Sequence, residues 1–191
     1  MILPVVAYGH SVLRKVALPI DRISPDIKQL IDDMWETMYA SNGVGIAAPQ
    51  VNKLIRLFVV DTEQMVETFD EEDKRLYPNE KPIKSAFINA EKISEVGELW
   101  PYNEGCLSIP KIREDVKRGQ SVTIKYRDEN FEEHVQTFDG ITARVILHEY
   151  DHIEGKLFID YLAPIKKRLL KKKLDDISKG KIKPGYKMLF P

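Results

Sequence analysis

The run "VILHEYDHIEG", residues 145–155, sets His148 and His152 four positions apart with Glu149 beside the first. On a helix that spacing puts both imidazoles on one face, one turn apart, where they can share a metal ion. Glu149, one position round the helix, falls near such an ion without ligating it and is suited to moving a proton. A hydrolytic centre of this kind needs a third protein ligand and an open position for water. Two peptidase patterns fail to supply that ligand. The extended H-E-x-x-H-x-x-G-x-x-H motif has its glycine at Gly155 but Phe158 at the histidine position, and Glu154 is the last glutamate in the chain. Asp160 is poorly placed, and Asp175 and Asp176 lie in a basic tail.

Cys106, the only cysteine, does better. In "NEGCLSIP" it sits between Asn103–Gly105, which read as a turn, and a short apolar run, so its sulfur can project from a strand edge. A bound metal keeps a thiol deprotonated. The anionic sulfur makes the ion a weaker Lewis acid than three histidines would, and opens the site to Fe²⁺ as well as Zn²⁺. A second stretch, "GVGIAAPQ" at 43–50, superficially resembles a dinucleotide-binding glycine loop. That motif requires a strand before it and a helix after it, and here the order is reversed. Gly43 and Gly45 instead let backbone approach a ligand closely, Val44 and Ile46 offer apolar surface, and Gln50 offers a neutral amide donor.

These residues need elements to position them. "SPDIKQLIDDMWETMYAS" reads as an N-terminal helix with Ser24 as N-cap, Pro25 at the first position and an apolar stripe through Ile31, Met34 and Met38. "LIRLFVVD" and "SAFINAEKI" read as strands, and "SVTIKYRDENFEEHVQTF" as a hairpin. The histidine helix runs from about Thr142 to Ile153 and stops at Gly155; a last amphipathic helix falls within residues 160–180. Residues 62–82, acidic and polar, read as an exposed excursion. Strands in the middle and helices at the ends predict an α+β fold: a single compact domain with antiparallel or mixed sheets around a central HExxH helix.

At 191 residues the chain suits one domain. It shows no secretory leader and no apolar run long enough to span a membrane, and a lone cysteine excludes an internal disulfide and fits the cytoplasm. Net charge is −1, yet Lys166 to Lys187 holds ten Lys/Arg against two Asp. Such a tail is either a solvated helix face or a surface for an anionic partner such as nucleic acid.

Three stretches, "GVGIAAPQ", "EGCLS" and "HEYDH", resemble in order and separation the three signature motifs of peptide deformylases. The resemblance implies removal of the formyl group from N-formylmethionyl ends of nascent polypeptides, releasing formate. It implies one divalent ion, Fe²⁺ in the cell with Zn²⁺ or another ion possible, held by Cys106, His148 and His152. An ion-activated water attacks the formyl carbon and Glu149 carries its proton to the leaving amine. The Gln50 amide and the Leu107 backbone N–H stabilise the oxyanion. The methionine side chain enters a pocket of Val44, Ile46 and Val145. Backbone at Gly43, Val44, Gly45 and Ile46 and at Glu104 and Gly105 holds the peptide as an added strand. Arg113 and Tyr102 stand near the pocket mouth. Residues 1–163 form the catalytic part and 164–191 a basic helix and tail within the same domain; in some relatives a C-terminal helix contacts the ribosome. No membrane and no disulfide-linked partner is expected. Two other readings stand beside this one. A cytosolic HExxH metallopeptidase would need a third ligand other than Cys106. A structural metal module with an RNA-binding tail would need a fourth protein ligand, His10 or His134.

Overall fold

The computed structural model describes residues 1–78 and 80–191. In chain order the elements are β1 (Val5–Val6), α1 (Pro25–Ala40), β2 (Gly45–Ala47), β3 (Leu57–Asp61), α2 (Glu63–Val66), α3 (Glu71–Leu76), β4 (Lys84–Val96), β5 (Trp100–Cys106), β6 (Ile109–Arg118), β7 (Ser121–Arg127), β8 (Glu133–Asp139), α4 (Gly140–Ile153), α5 (Pro164–Ser178) and β9 (Met188–Leu189). Strands β2-β3-β4-β7-β8 form an antiparallel sheet in that order, β5 and β6 form a separate antiparallel pair, and β1 pairs with β9 in parallel. The fold is α+β, a single compact domain with α4 at its centre.

Helix α1 starts where its cap dictates: Ser24 Oγ accepts from the Ile27 N–H at 3.3 Å, with Pro25 in the first turn. Asn42, at φ +55°, turns the chain out of the helix and into β2. Ile31, Met34 and Met38 bury against Ile46, Leu57 and Val59, pinning α1 to one face of the sheet. On the other face α4 packs Ile146, Leu147 and Ile153 with Phe58, Phe87 and Ile124. Nearly all of α4 is buried, so its polar side chains are carried into the interior.

Four features differ from the sequence expectation. The 62–82 stretch is not simply an exposed excursion; Asn79, within it, lies outside the described residues. Glu63, Glu67, Asp70, Glu71 and Glu72 are exposed, while Met65, Phe69 and Tyr77 pack against the core and the Phe69, Tyr77 and Trp100 rings follow one another at 5.8 Å spacings. The Glu80 carboxylate accepts from the Ile141 N–H at 2.9 Å and the Thr142 N–H at 2.8 Å. That cap satisfies otherwise orphaned donors and lets α4 begin at Gly140, ahead of Thr142. Asn103–Gly105 is strand, not turn, paired with Arg113–Asp115; the turn is Leu107–Ser108. A polar two-stranded ribbon lacks the apolar alternation by which strands are read. The last helix starts at Pro164, because a residue preceding proline is steered away from the helical region. Leu170, Leu174 and Ile177 seat it on the protein, leaving most of its lysines outside. No helix among the described residues is long and apolar enough to cross a membrane.

Glu80→Ala should cost about 1–2 kcal/mol, as loss of a helix N-cap does. Urea unfolding of the variant beside Glu80→Gln, which keeps one acceptor, measures it.

Candidate metal centre

Cys106 ends β5, while His148 and His152 stand one turn apart on α4. The Cys106 Sγ is 3.3 Å from His152 Nε2. One donor atom from each of Cys106, His148 and His152 lies within 4.8 Å of the other two. His148 Nδ1 is 2.9 Å from Glu104 Oε2. An ionised carboxylate only accepts, so Nδ1 carries the hydrogen and, in the neutral ring, Nε2 keeps its lone pair for a ligand. Burial disfavours a charged His148 ring, but Cys106 and Glu104 outweigh it and raise the pKa well above normal. Burial and the neighbouring His148 ring push His152 the other way.

The donors suit a borderline-soft divalent ion: one thiol and two imidazoles, with room for a fourth ligand. His10 caps a 3₁₀ turn through the Val12 N–H and His134 pairs with Asp128; among the described residues neither joins the cluster, so no closed four-ligand site forms. Glu149 lines the same cavity, and its Oε2 is buried without a protein partner. Burial pushes its pKa up to about 7. A carboxyl held near neutrality and aimed into a cavity is suited to accept and return a proton.

The glycine loop shapes the other side. A Cβ on Gly45 would lie 2.6 Å from Glu149 Oε1, and one on Gly43 would lie 2.9 Å from Leu107 Cδ1. Gly45 thus makes room for the protein's own carboxylate while its backbone lines the cavity. Gln50, buried in the 3₁₀ turn Ala48–Val51, is held by its Oε1, which accepts from the Ala47 N–H at 2.8 Å. Its Nε2 then faces the centre, 3.5 Å from Cys106 Sγ and 3.3 Å from Ser108 Oγ. Leu107 follows Cys106 in the turn.

A cavity of about 500 Å³ opens over these residues. Val44, Val145 and Tyr102 line it, as do Gly43, Gly45, Glu104, Gly105 and Arg113. Ile46 does not. Strand residues alternate faces, so with Gly45 turned toward Glu149, Ile46 points the opposite way into the α1 core, fully buried. Met65, from α2, takes a place on the cavity wall. Arg113 lies over Gly105 with Nε 3.0 Å from Asn103 Oδ1.

The polypeptide deformylase family model matches residues 2–168. The chain belongs to the peptide deformylase family. It is 52% identical to the peptide deformylase of Christiangramia forsetii over all of this chain and 97% of that protein, and 52% identical to that of Cytophaga hutchinsonii over all of this chain and 98% of that one. The crystal structure of a peptide deformylase from Legionella pneumophila superposes with a TM-score of 0.79 at 34% identity, covering 95% of this chain and 98% of that one.

What sequence reading missed in this deformylase-family centre is its support. Glu104 accepts from Arg118 Nε at 2.7 Å and Nη2 at 3.0 Å, and from Arg144 Nη1 at 3.1 Å. Arg118 Nη1 also donates to Asp151 Oδ2 at 2.7 Å, and all four side chains are buried. Glu104 was expected to serve the peptide through its backbone; its side chain has a separate contact, accepting from His148 Nδ1. Asp151, one turn after His148, was the available signal, with Arg144 a further charged group on a helix otherwise destined for the core. Burial alone would raise the Glu104 pKa, but the His148 and Arg118 hydrogen bonds outweigh it and hold the carboxyl far below the usual range.

Because folding depresses that pKa, the stability Glu104 contributes is complete above the ordinary value near 4.5 and drains away as pH falls toward the folded value. Glu104→Gln should lose about 3 kcal/mol at pH 7, the usual cost of stranding buried partner charges, and should bind metal more weakly. Its loss should shrink as pH drops below 4.5, in denaturant titrations run across that range.

Proposed function

We propose that this chain's deformylation chemistry rests on Glu149 as the proton carrier, Gln50 and the Leu107 N–H as oxyanion donors, and Cys106, His148 and His152 as metal ligands. The protein is a peptide deformylase, a metal-dependent hydrolase that removes the N-formyl group from nascent polypeptides. The observation that carries the division of roles is the unpartnered, buried Glu149 oxygen, on a residue lining the same cavity as Cys106 and His148. An ion at those three ligands supplies Lewis acidity and a water acidified toward hydroxide. We read it as Fe²⁺ in the cell, with Zn²⁺ or other divalent ions able to replace it, because the thiolate softens the site.

Glu149 accepts the proton of the attacking water and delivers it to the amine nitrogen as the C–N bond breaks. Negative charge growing on the formyl oxygen meets the Gln50 amide, whose orientation is set by its hydrogen bond from Ala47, and the Leu107 N–H. Each such donor is worth about 3–4 kcal/mol of barrier. Val44, Val145 and Met65 offer the methionine side chain an apolar wall. Strand β2 is at a sheet edge, so Gly43–Gly45 on one side and Glu104–Gly105 on the other can hold an extended peptide between them. Tyr102 and Arg113 bound the mouth. The peptidase alternative would require a ligand set without Cys106, which the juxtaposition of its sulfur with His152 disfavours.

Residues 1–163 carry the chemistry, and 164–191 complete the same domain. On α5, exposed Lys167, Arg168, Lys171 and Lys172 stand beside exposed Ile165 and Leu169. We read this face as a dock for the ribosome's anionic surface, within the cytoplasm, where a lone thiol stays reduced.

Formate release from a formyl-Met peptide should exceed deacetylation of the acetyl analogue by orders of magnitude; comparable rates would mean a general acylase. Glu149→Ala should keep its metal and lose about 10²–10⁴-fold in kcat. Cys106→Ser should lose metal first. Metal analysis of anaerobically prepared variants distinguishes the two roles.

A further inference from the structure

The family model ends at residue 168, yet the chain returns to the catalytic cleft well beyond it. Pro184, Gly185 and Tyr186 line the same cavity as Glu149 and Leu107. This segment is fixed at both ends. Before it, α5 is seated by Leu170, Leu174 and Ile177; after it, β9 pairs with β1, with Val5 opposite Met188 and Val6 opposite Leu189. The Val5 N–H donates to the Lys187 carbonyl at 2.9 Å, and the Ala7 N–H to the Leu189 carbonyl at 2.8 Å. Between those anchors the Tyr186 hydroxyl donates to the Leu107 carbonyl at 2.6 Å. The next carbonyl, Ser108, accepts from the Tyr8 N–H at 2.8 Å.

Both carbonyls of the Leu107–Ser108 turn are therefore held by the chain termini, one by each end, and the termini are held to each other. The turn carries the Leu107 N–H, whose direction depends on the backbone angles these bonds restrain. Pro184 and Gly185 line the same cleft as the glycine loop, where peptide beyond the formylated methionine would pass. A Cβ on Gly185 would meet nothing within 4 Å, so a side chain there extends into open space.

We propose that the C-terminal segment Pro184–Tyr186 is a working wall of the cleft, with Tyr186 a positioning residue for the oxyanion turn and Pro184–Gly185 a contact for the substrate residues after methionine. This rests on the roles given above to Leu107 and the cleft. A displaced donor weakens transition-state binding more than ground-state binding, so its loss falls on kcat.

Tyr186→Phe keeps the ring and removes the hydroxyl. Metal-loaded enzyme should show kcat for a formyl-Met tripeptide lowered by about tenfold, with KM, metal content and Tm held, the pattern of a lost transition-state contact. Gly185→Leu should change the ratio of kcat/KM for the tripeptide to that for formyl-Met amide by about fivefold, a modest change in contact at the cleft wall. Unchanged kcat in Tyr186→Phe, or a loss that tracks Tm or metal content, overturns the positioning role; an unchanged ratio in Gly185→Leu overturns the wall. Wild-type protein that releases formate from neither substrate would instead refute the catalytic reading itself.

Discussion

One carboxylate ties the strand that carries the thiol to the helix that carries the imidazoles. Glu104 lies two residues before Cys106 on β5 and accepts from His148 on α4, from Arg118 on β6 and from Arg144, again on α4. Burying an unpaired charge is prohibitive, so each member of this network is tolerated only because the others are in place. Two arginines face two carboxylates, Glu104 and Asp151, with no charge left over. The arrangement sets the distance between strand and helix, and hence whether a sulfur and two ring nitrogens can meet. Replacing it with apolar residues could leave a stable core but would no longer orient the His148 ring.

Close approach is the second constraint. Glycine is needed at position 45 because the backbone of β2 passes against the Glu149 carboxylate, and at 43 because the chain entering β2 passes against Leu107. The same loop delivers Gln50, whose amide is locked by a neighbouring backbone N–H. The groups proposed to act in catalysis, from the loop, the β5–β6 turn and α4, are thus brought together by contacts among themselves and by backbone hydrogen bonds. Preorganisation of this kind lets donors face developing charge without rearranging.

Segments that look peripheral in the linear chain support this centre. The acidic stretch before β4 caps α4 through Glu80 and sends Met65 to the cavity wall. The basic end of the chain presents lysines outward on α5, then turns back so that Tyr186 reaches the Leu107 carbonyl. Removing the tail to test docking on an anionic surface would also remove this contact, whereas reversing charges on the exposed face of α5 would spare it.

Sequence alone singled out Cys106, His148 and His152 as a trio that the fold brings together, with Glu149 beside it, and determined the α+β class, α1 with its Ser24 cap and the long hairpin of β7 and β8. These rest on local rules: helical spacing, the scarcity of cysteine, alternation of apolar residues and capping chemistry. Tertiary structure alone decided that Ile46 belongs to the α1 core, that Asn103–Gly105 is strand, that the Glu104 side chain turns inward and that both termini grip the turn after Cys106. Each of these depends on a partner far away in the chain, Arg118 and His148 for Glu104, Tyr8 and Tyr186 for the turn. Local pattern carries the period of an element, but the partner that satisfies a buried charge or an exposed carbonyl is chosen only when distant segments pack.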